Sequence, residues 1–218
     1  VAAGAIARKI LATLGIEILA YTKSIGPVEG DLSNFNPDEV LKNPLAMGDR
    51  EAAHRAMKYL DVLREKGDSA GGIIECRIKG LPSGVGEPVF EKLDGALGKA
   101  IFSIGAVKGL EFGKGFEVSK MTGSTNNDPL RLDQSGNVYK ESNNAGGIIG
   151  GISDGSEIIF RAAIKPTSSI SIPQKSIDKS KGKNTEIKVQ GRHDPIIVPR
   201  AVIVVEAVTA ITLVDYLF

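Results

Sequence analysis

Apolar residues recur at helical spacing in several stretches of the chain, and each stretch predicts a helix. The first covers residues 1–11, and a stronger one runs from about Asp49 to Lys66 and stops at Gly67. Asn36-Pro37-Asp38 has the cap-then-proline pattern of a helix start. A further helix begins after the loop at 81–88, and a long apolar helix, expected to be buried on most of its surface, starts at about Pro199. The predicted apolar face of the helix from Asp49 to Lys66 consists of Ala53, Met57, Leu60 and either Leu63 or Val62. That of the helix after the 81–88 loop consists of Phe90, Leu93, Leu97 and Ile101.

Strands are predicted at residues 17–25, 73–79, 107–112 and 116–121, and Gly26-Pro27 is expected to end the first of them. The Asp154-Gly155 pair between two apolar runs predicts a hairpin that joins residues 148–152 to residues 157–164. A second hairpin is expected to join 169–172 to 186–189, and the polar stretch 123–144 is expected to be mostly loop. Strands outnumber βαβ units and no internal repeat is present, so the pattern predicts an α+β fold.

The composition is that of an ordinary globular chain and excludes only a few classes of protein. Hydrophobic residues make up 42% and charged residues 24% of the chain. Lys plus Arg is 27 against 26 for Asp plus Glu, so no excess positive charge favours nucleic acid as a partner. The lysines at the tip of the second hairpin have no aromatic residues between them for base stacking, which favours a solvated loop. These lysines are Lys175, Lys179, Lys181 and Lys183.

The single cysteine and the first histidine indicate neither a disulfide framework nor a metal site. Cys76 alternates with charged residues between Ile74 and Ile78, which predicts a buried strand thiol in a reducing cytosol. His54 lies on the second helix with Lys58 at i+4, so we interpret it as a surface or boundary histidine. The block of residues 201–218 is interrupted by polar side chains and is short for a bilayer span, so no membrane segment is predicted. The first helix starts without a cap, which leads us to expect further chain upstream.

Four short segments combine glycine, hydroxyl side chains and isolated charges in a way that core packing does not require: residues 103–109, 143–153, 165–169 and 191–195. The paired glycines of the second segment could equally form a bulge. Lys165-Pro166-Thr167-Ser168-Ser169 offers a cation and hydroxyls that could hold a phosphate or ring carbonyls, although it could also be a strand end and turn. It is not a P-loop, since no Gly-x-x-x-x-Gly-Lys precedes it.

The fourth segment, Arg192-His193-Asp194, stands just before a predicted helix start. The planar fork of an arginine suits a carboxylate or a phosphate, and a helix start adds positive potential. Histidine and aspartate are both candidates for proton transfer. A surface cluster of ion pairs remains the alternative interpretation.

Together, the residue sequences of these segments and their order along the whole chain resemble the chorismate synthase family. Residues 143–153, 165–169 and 191–194 resemble that family's motifs, as do Arg200-Ala201-Val202 and Glu206-Ala207. Further resemblance is found in Gly67-Asp68-Ser69, in residues 84–90 and in the segment around Gly105.

The resemblance implies an FMN-dependent lyase that converts 5-enolpyruvylshikimate 3-phosphate to chorismate and phosphate by 1,4-anti elimination. The family requires reduced FMN although the reaction has no net redox change. By this resemblance Asp194 matches the aspartate that helps to remove the ring proton through the flavin N5. The FMN contacts implied for this chain are Gly105, Ala106, Gly150, Lys165, Pro166, Thr167, Ser168, Ser169 and Arg192.

The resemblance also implies a β-α-β sandwich with helices between antiparallel sheets, here as a single domain over 1–218 that lacks its amino-terminal part. Family members assemble as cytosolic homotetramers. The family's two catalytic histidines and an Arg-Ser-Ser stretch that contacts FMN lie upstream of Val1, so these 218 residues alone are expected to be inactive. Two other interpretations stay open at this point: an unrelated phosphate- or nucleotide-binding module, and a structural fragment that keeps the fold without the site.

Overall fold

The computed structural model describes residues 1–191 and 193–218 and has an α+β fold, as the sequence predicts. In the described residues the α-helices are α1 (Ala2–Thr13), α2 (Pro37–Lys42), α3 (Arg50–Lys66), α4 (Leu93–Phe102), α5 (Gly123–Asn126) and α6 (Val198–Leu217). The strands are β1 (Glu17–Ile25), β2 (Val28–Glu29), β3 (Gly72–Lys79), β4 (Val107–Phe112), β5 (Leu130–Leu132), β6 (Val138–Lys140), β7 (Ile148–Ile149), β8 (Ile152–Ser153), β9 (Ile158–Ile164), β10 (Gln174–Asp178) and β11 (Lys183–Ile187).

Within the described residues, β2-β1-β3-β9-β4 is the strand order of a five-stranded sheet. The pairs β5–β6, β7–β8 and β10–β11 form separate antiparallel ribbons. Residues 174–187 therefore form the predicted second hairpin, displaced from its expected bounds, with Gln174 opposite Ile187 and Asp178 opposite Lys183. Helices combined with antiparallel sheets match the fold class that the family resemblance implies.

The chain forms two compact units. The first consists of Val1–Ala20, Glu75–Ala163 and Ala201–Phe218. In it, α4 buries Leu93, Leu97 and Ile101 completely, and Phe160 and Leu213 are also fully buried. The second consists of Tyr21–Ile74 and Ile164–Arg200. Its core cluster contains Ile25, Leu45, Met47, Ala52, Ala53, Ala56, Leu60 and Ala70.

Local signals define both ends of α3. The Asp49 carboxylate accepts hydrogen bonds from the backbone N–H groups of Glu51 at 2.9 Å and Ala52 at 3.1 Å, which satisfies the first turn of the helix. Gly67 ends the helix with φ +73°, a left-handed conformation that suits glycine. The predicted apolar face is wrong at Met57, which is 37% exposed. The buried face is centred instead on the small residues Ala52 and Ala56, which allow the helix to approach its core closely.

Two further predictions in the first unit are wrong. Phe90 does not belong to the apolar face of α4, because the helix begins only at Leu93 and Phe90 is 92% exposed. Gly115–Lys120 forms a 3₁₀-helix instead of a strand. The backbone there satisfies its polar groups locally, since the Glu117 N–H donates to the Lys114 carbonyl oxygen and the Met121 N–H donates to the Val118 carbonyl oxygen, each at 3.1 Å.

The predicted hairpin across Asp154-Gly155 is also wrong. Gly150 and Gly151 form the turn instead, with φ +63° and +91°, and they join β7 to β8. Two successive residues with positive φ suit a tight hairpin turn, and a Gly-Gly pair adopts them without steric cost. β9 lies between β3 and β4 in the five-stranded sheet, where alternate residues from Ile158 to Ile164 are buried.

Three smaller predictions are confirmed. Cys76 is a fully buried thiol on β3; burial raises its pKa well above the ordinary value, and the negative charge of Glu206 adds to the effect. His54 lies on the exposed face of α3. Most of α6 is buried or half-buried, with Ile203 and Ile211 among its exposed residues.

In the described part of the chain, no helix has the length and apolar character needed to cross a membrane.

Candidate functional site

In the second unit, a short connection between α3 and β3 holds the 165–169 segment in place. We call Gly67–Gly71 the bracing segment. The Ser69 Oγ donates to the Thr167 carbonyl oxygen at 2.7 Å, and the Ser171 N–H donates to the Gly67 carbonyl oxygen at 2.9 Å. A Cβ added at Gly71 would lie 2.5 Å from the Ile164 carbonyl oxygen, so the two backbones pass too closely for a side chain. The predicted cofactor segment is therefore fixed by its backbone.

The side chains of this segment have polar groups to spare. The Lys165 side chain is exposed and has no ion-pair partner among the described residues. The Thr167 Oγ1 is buried and has no hydrogen-bond partner among them either. A buried hydroxyl left unpaired costs about 1–3 kcal/mol, so its presence favours a ligand that completes it. A cation and a free hydroxyl two residues apart fit a phosphate or the polar edge of a ring.

Asp194 lies in the same unit and is linked to the same bracing segment. The Ala70 N–H donates to the carbonyl oxygen of Pro195, next to Asp194, at 2.8 Å. The Asp194 carboxylate accepts hydrogen bonds from the Arg200 guanidinium at 2.7 Å and 3.4 Å, and its side chain is 40% exposed. This pairing is one that the surface ion-pair interpretation expects, and the remaining exposure leaves the carboxylate accessible.

His193, the neighbour of Asp194, contacts the backbone of the preceding chain. The Nε2 of His193 lies 3.3 Å from the Val189 carbonyl oxygen and donates to it in the tautomer that carries hydrogen there. The predicted FMN contact Arg192 lies outside the described residues.

Gly105 and Ala106 lie in the first unit, in the turn between α4 and β4. A Cβ added at Gly105 would meet nothing within 4 Å, so the backbone there is open. Ala106 has φ +71°, a conformation that costs a non-glycine residue on the order of 1–3 kcal/mol. Ala106 therefore stores backbone strain at the predicted contact.

Gly150 lies at the exposed tip of the β7–β8 hairpin in the same unit, and a Cβ added there would also meet nothing within 4 Å. The Leu93 N–H, at the start of α4, donates to the Gly151 carbonyl oxygen at 2.8 Å. The hairpin tip is thus fastened to one end of α4 while Gly105 follows the other end. A ten-residue helix is about 15 Å long, so one ligand touching both turns would have to be extended.

Asp128, which sequence reasoning missed, secures the loop that leads to this hairpin. Its carboxylate accepts hydrogen bonds from the Ser142 Oγ at 2.6 Å, the Asn144 N–H at 2.6 Å and the Ala145 N–H at 3.0 Å. Burial raises the pKa of Asp128, but these hydrogen bonds outweigh it and hold the pKa below the ordinary value. Asp128 is fourteen residues before Ser142, and no spacing pattern in the sequence signals the contact.

The structure thus sorts the predicted residues into two groups. The bracing segment connects Lys165, Pro166, Thr167, Ser168 and Ser169 with the loop of Asp194 in the second unit. The two ends of α4 carry Gly105, Ala106 and Gly150 in the first unit. Each unit of this α+β protein thus presents its own polar segments. The first has open glycine turns, and the second has a lysine and a buried hydroxyl that lack a partner among the described residues and suit an anionic ligand.

Comparison with known proteins identifies the family. The family model for chorismate synthase matches residues 1–218, and the chain belongs to that family. A chorismate synthase from Lachnoclostridium phytofermentans is 58% identical over 217 residues, which are 100% of this chain and 59% of that protein. One from Methanosarcina acetivorans is 47% identical over 219 residues, 100% of this chain and 60% of that protein. A solved structure, described as a crystal structure of chorismate synthase, has a TM-score of 0.80 at 31% identity and covers 99% of this chain and 61% of that chain.

The chain therefore spans about 59% of the length of the relative from Lachnoclostridium phytofermentans. Family membership confirms the resemblance drawn from the sequence motifs. It decides against the interpretation of an unrelated phosphate- or nucleotide-binding module.

Proposed function

We propose that this chain belongs to an FMN-dependent lyase that converts 5-enolpyruvylshikimate 3-phosphate to chorismate and phosphate by 1,4-anti elimination. Membership of the chorismate synthase family supports the reaction class. The observation that carries the cofactor assignment is the Lys165–Thr167 pair. The Lys165 ammonium group has no ion-pair partner among the described residues, and the Thr167 hydroxyl is buried and has no hydrogen-bond partner among them.

In this proposal Lys165 binds a phosphate or ring oxygen of FMN by a charge-assisted hydrogen bond, and the Thr167 hydroxyl orients the same ligand. Pro166, Ser168 and Ser169 complete the contact surface of that segment, and Arg192 adds a second cation. Gly105, Ala106 and Gly150 present backbone without bulky side chains, which allows close approach of a ligand. When bound in its reduced form, FMN supplies electron density to the C–O bond that breaks.

Asp194 is proposed as the catalytic residue of this chain, the group that accepts the ring proton as phosphate departs. Its carboxylate is 40% exposed and so within reach of a ligand. The two hydrogen bonds from the Arg200 guanidinium fix the orientation of the carboxylate, and a carboxylate is a group that can accept a proton.

We further propose that residues 1–218 are part of a single domain, and that the full-length protein is cytoplasmic and assembles as a homotetramer. The family resemblance supports these points. Sedimentation or light scattering of the full-length protein measures the assembly, with a mass four times that of one chain as the expected result.

The proposed function is tested with the full-length protein under anaerobic conditions. With reduced FMN and 5-enolpyruvylshikimate 3-phosphate present, chorismate and phosphate should appear in equal amounts, and no chorismate should form without the flavin. Flavin binding is measured separately by the change in its absorbance or fluorescence. Binding of flavin without product formation would refute the lyase assignment, and absence of flavin binding would refute the cofactor assignment.

A further inference from the structure

The hydrogen bond from Ser69 binds the backbone carbonyl group of Thr167 and not its side-chain hydroxyl. The backbone carbonyl oxygen of Thr167 is bound by the Ser69 Oγ at 2.7 Å, while the buried side-chain hydroxyl has no partner among the described residues. Ser69 is half-buried, and its own N–H donates to the Asp68 carboxylate at 2.8 Å. The bond therefore fixes the backbone of Thr167 and leaves its hydroxyl available to a ligand.

The bracing segment fixes this region at more than one point. Its Gly67 carbonyl accepts the Ser171 N–H at 2.9 Å, beyond the far end of the 165–169 segment. Its Ala70 N–H holds the Pro195 carbonyl at 2.8 Å, beside Asp194. Both of these bonds are between backbone atoms, so Ser69 makes the side-chain contact that a substitution can remove selectively.

We propose that Ser69 is a positioning residue, which holds the Thr167 backbone so that the 165–169 segment is already arranged for the flavin before it binds. This inference rests on the proposed function, because it takes the 165–169 segment to be the flavin contact. Ser69 does not touch the ligand in this scheme; it acts through Thr167. Order that is present before binding need not be created at the cost of affinity when the ligand arrives.

The size of the effect follows from the bond that is lost. A neutral hydrogen bond contributes a net stabilisation that corresponds to about 2- to 13-fold in an equilibrium constant. If the 165–169 segment loosens in the free Ser69→Ala protein, the Kd for FMN should rise by an amount within that range. The backbone bonds of Gly67 and Ala70 remain, so the loss should fall on the flavin concentration needed for half-maximal rate more than on the rate at saturation.

The experiment compares Ser69→Ala and Ser69→Thr with the unchanged full-length protein. The Ser69→Thr variant retains a hydroxyl and should restore most of the affinity. Ser119→Ala is the matched control, because the Ser119 Oγ also donates to a backbone carbonyl, that of Phe116 at 2.8 Å, and lies in none of the segments of the candidate site. FMN affinity is measured by fluorescence titration, and melting temperature is measured without flavin.

A Kd that rises at least about twofold in Ser69→Ala, stays within the error of measurement in Ser119→Ala, and recovers in Ser69→Thr supports the inference. An unchanged Kd in Ser69→Ala overturns it while the unchanged protein still binds FMN. A lower melting temperature with an unaltered Kd for the folded fraction shows a purely structural role and also overturns it. If the unchanged protein binds no FMN, the proposed function fails, and the inference fails with it.

Discussion

Replacing Lys165 by Met and Thr167 by Val together is the sharpest test of the candidate cofactor segment. Both substitutions keep approximate side-chain size and remove the polar groups. Neither group makes a contact in the described structure that the fold would lose, since Lys165 has no ion pair there and the Thr167 Oγ1 has no hydrogen bond. The free protein should therefore be as stable as before, or more stable, because an unpaired buried hydroxyl is removed.

The expected loss of FMN affinity is large by comparison. A hydrogen bond to a charged group contributes about 1.5–3 kcal/mol and a neutral one about 0.5–1.5 kcal/mol, so the pair contributes about 2–4.5 kcal/mol. At 1.4 kcal/mol per tenfold, the Kd should rise about 30- to 1,600-fold. Because Lys165 is exposed and solvent screens its charge, the lower part of that range is expected.

The assay combines FMN titration with thermal unfolding at fixed flavin. At a concentration of about 100 times the original Kd, FMN should stabilise the unchanged protein by about 2.7 kcal/mol and the double variant by about 0.9 kcal/mol or less. The control changes Lys9 to Met and Thr13 to Val on α1, which removes an exposed cation and an exposed hydroxyl that donates to the Ile10 carbonyl oxygen at 2.6 Å, outside the segments of the candidate site. Unchanged flavin affinity in the double variant would refute the cofactor assignment of the segment, and a clear fall in the flavin-free melting temperature would show that Thr167 serves the fold.

Three further outcomes are expected. Asp194→Asn keeps the shape of the side chain but cannot accept a proton, so in the full-length protein turnover should fall by about 10²–10⁴ while FMN and substrate bind nearly normally; turnover within a factor of a few, measured by steady-state kinetics, would place the base elsewhere. A polypeptide of residues 1–218 alone should form no measurable chorismate with reduced FMN, and turnover comparable to that of the full-length protein would contradict the role assigned to the upstream histidines. Gly4→Val should destabilise the fold by about 1–3 kcal/mol in urea unfolding because a Cβ there would lie 2.4 Å from the Cβ of Ala207, whereas the exposed Ala3→Val should cost less; equal losses would show that the close approach is unimportant.

Local chemistry in the sequence was sufficient for elements whose ends carry their own signals. The start of α3 follows from an aspartate that caps its first turn, and its end follows from a glycine that adopts positive φ; these residues are Asp49 and Gly67. The end of β1 at Ile25 also follows from the Gly26-Pro27 pair, and the burial of Cys76 follows from its alternation with charged residues. The candidate site segments could be recognised from their residue composition, because short runs of glycine, hydroxyl and charged residues are not required for core packing.

Tertiary contacts decided what short-range patterns leave open. Gly150-Gly151 and Asp154-Gly155 both satisfy the rules for a tight turn, and the first pair forms it because β9 takes its partners, β3 and β4, from distant parts of the chain. Met57 and Phe90 have suitable spacing for a buried face but lie exposed.

The same distinction applies to the site. The sequence alone determined which residues could bind an anionic cofactor, since residue type fixes charge and hydrogen-bonding capacity. That the Thr167 hydroxyl is buried without a partner, and that Ser69 holds the Thr167 backbone, depended on contacts between residues 98 positions apart. Such contacts form only when the folded core brings the two segments together, so no local pattern could reveal them.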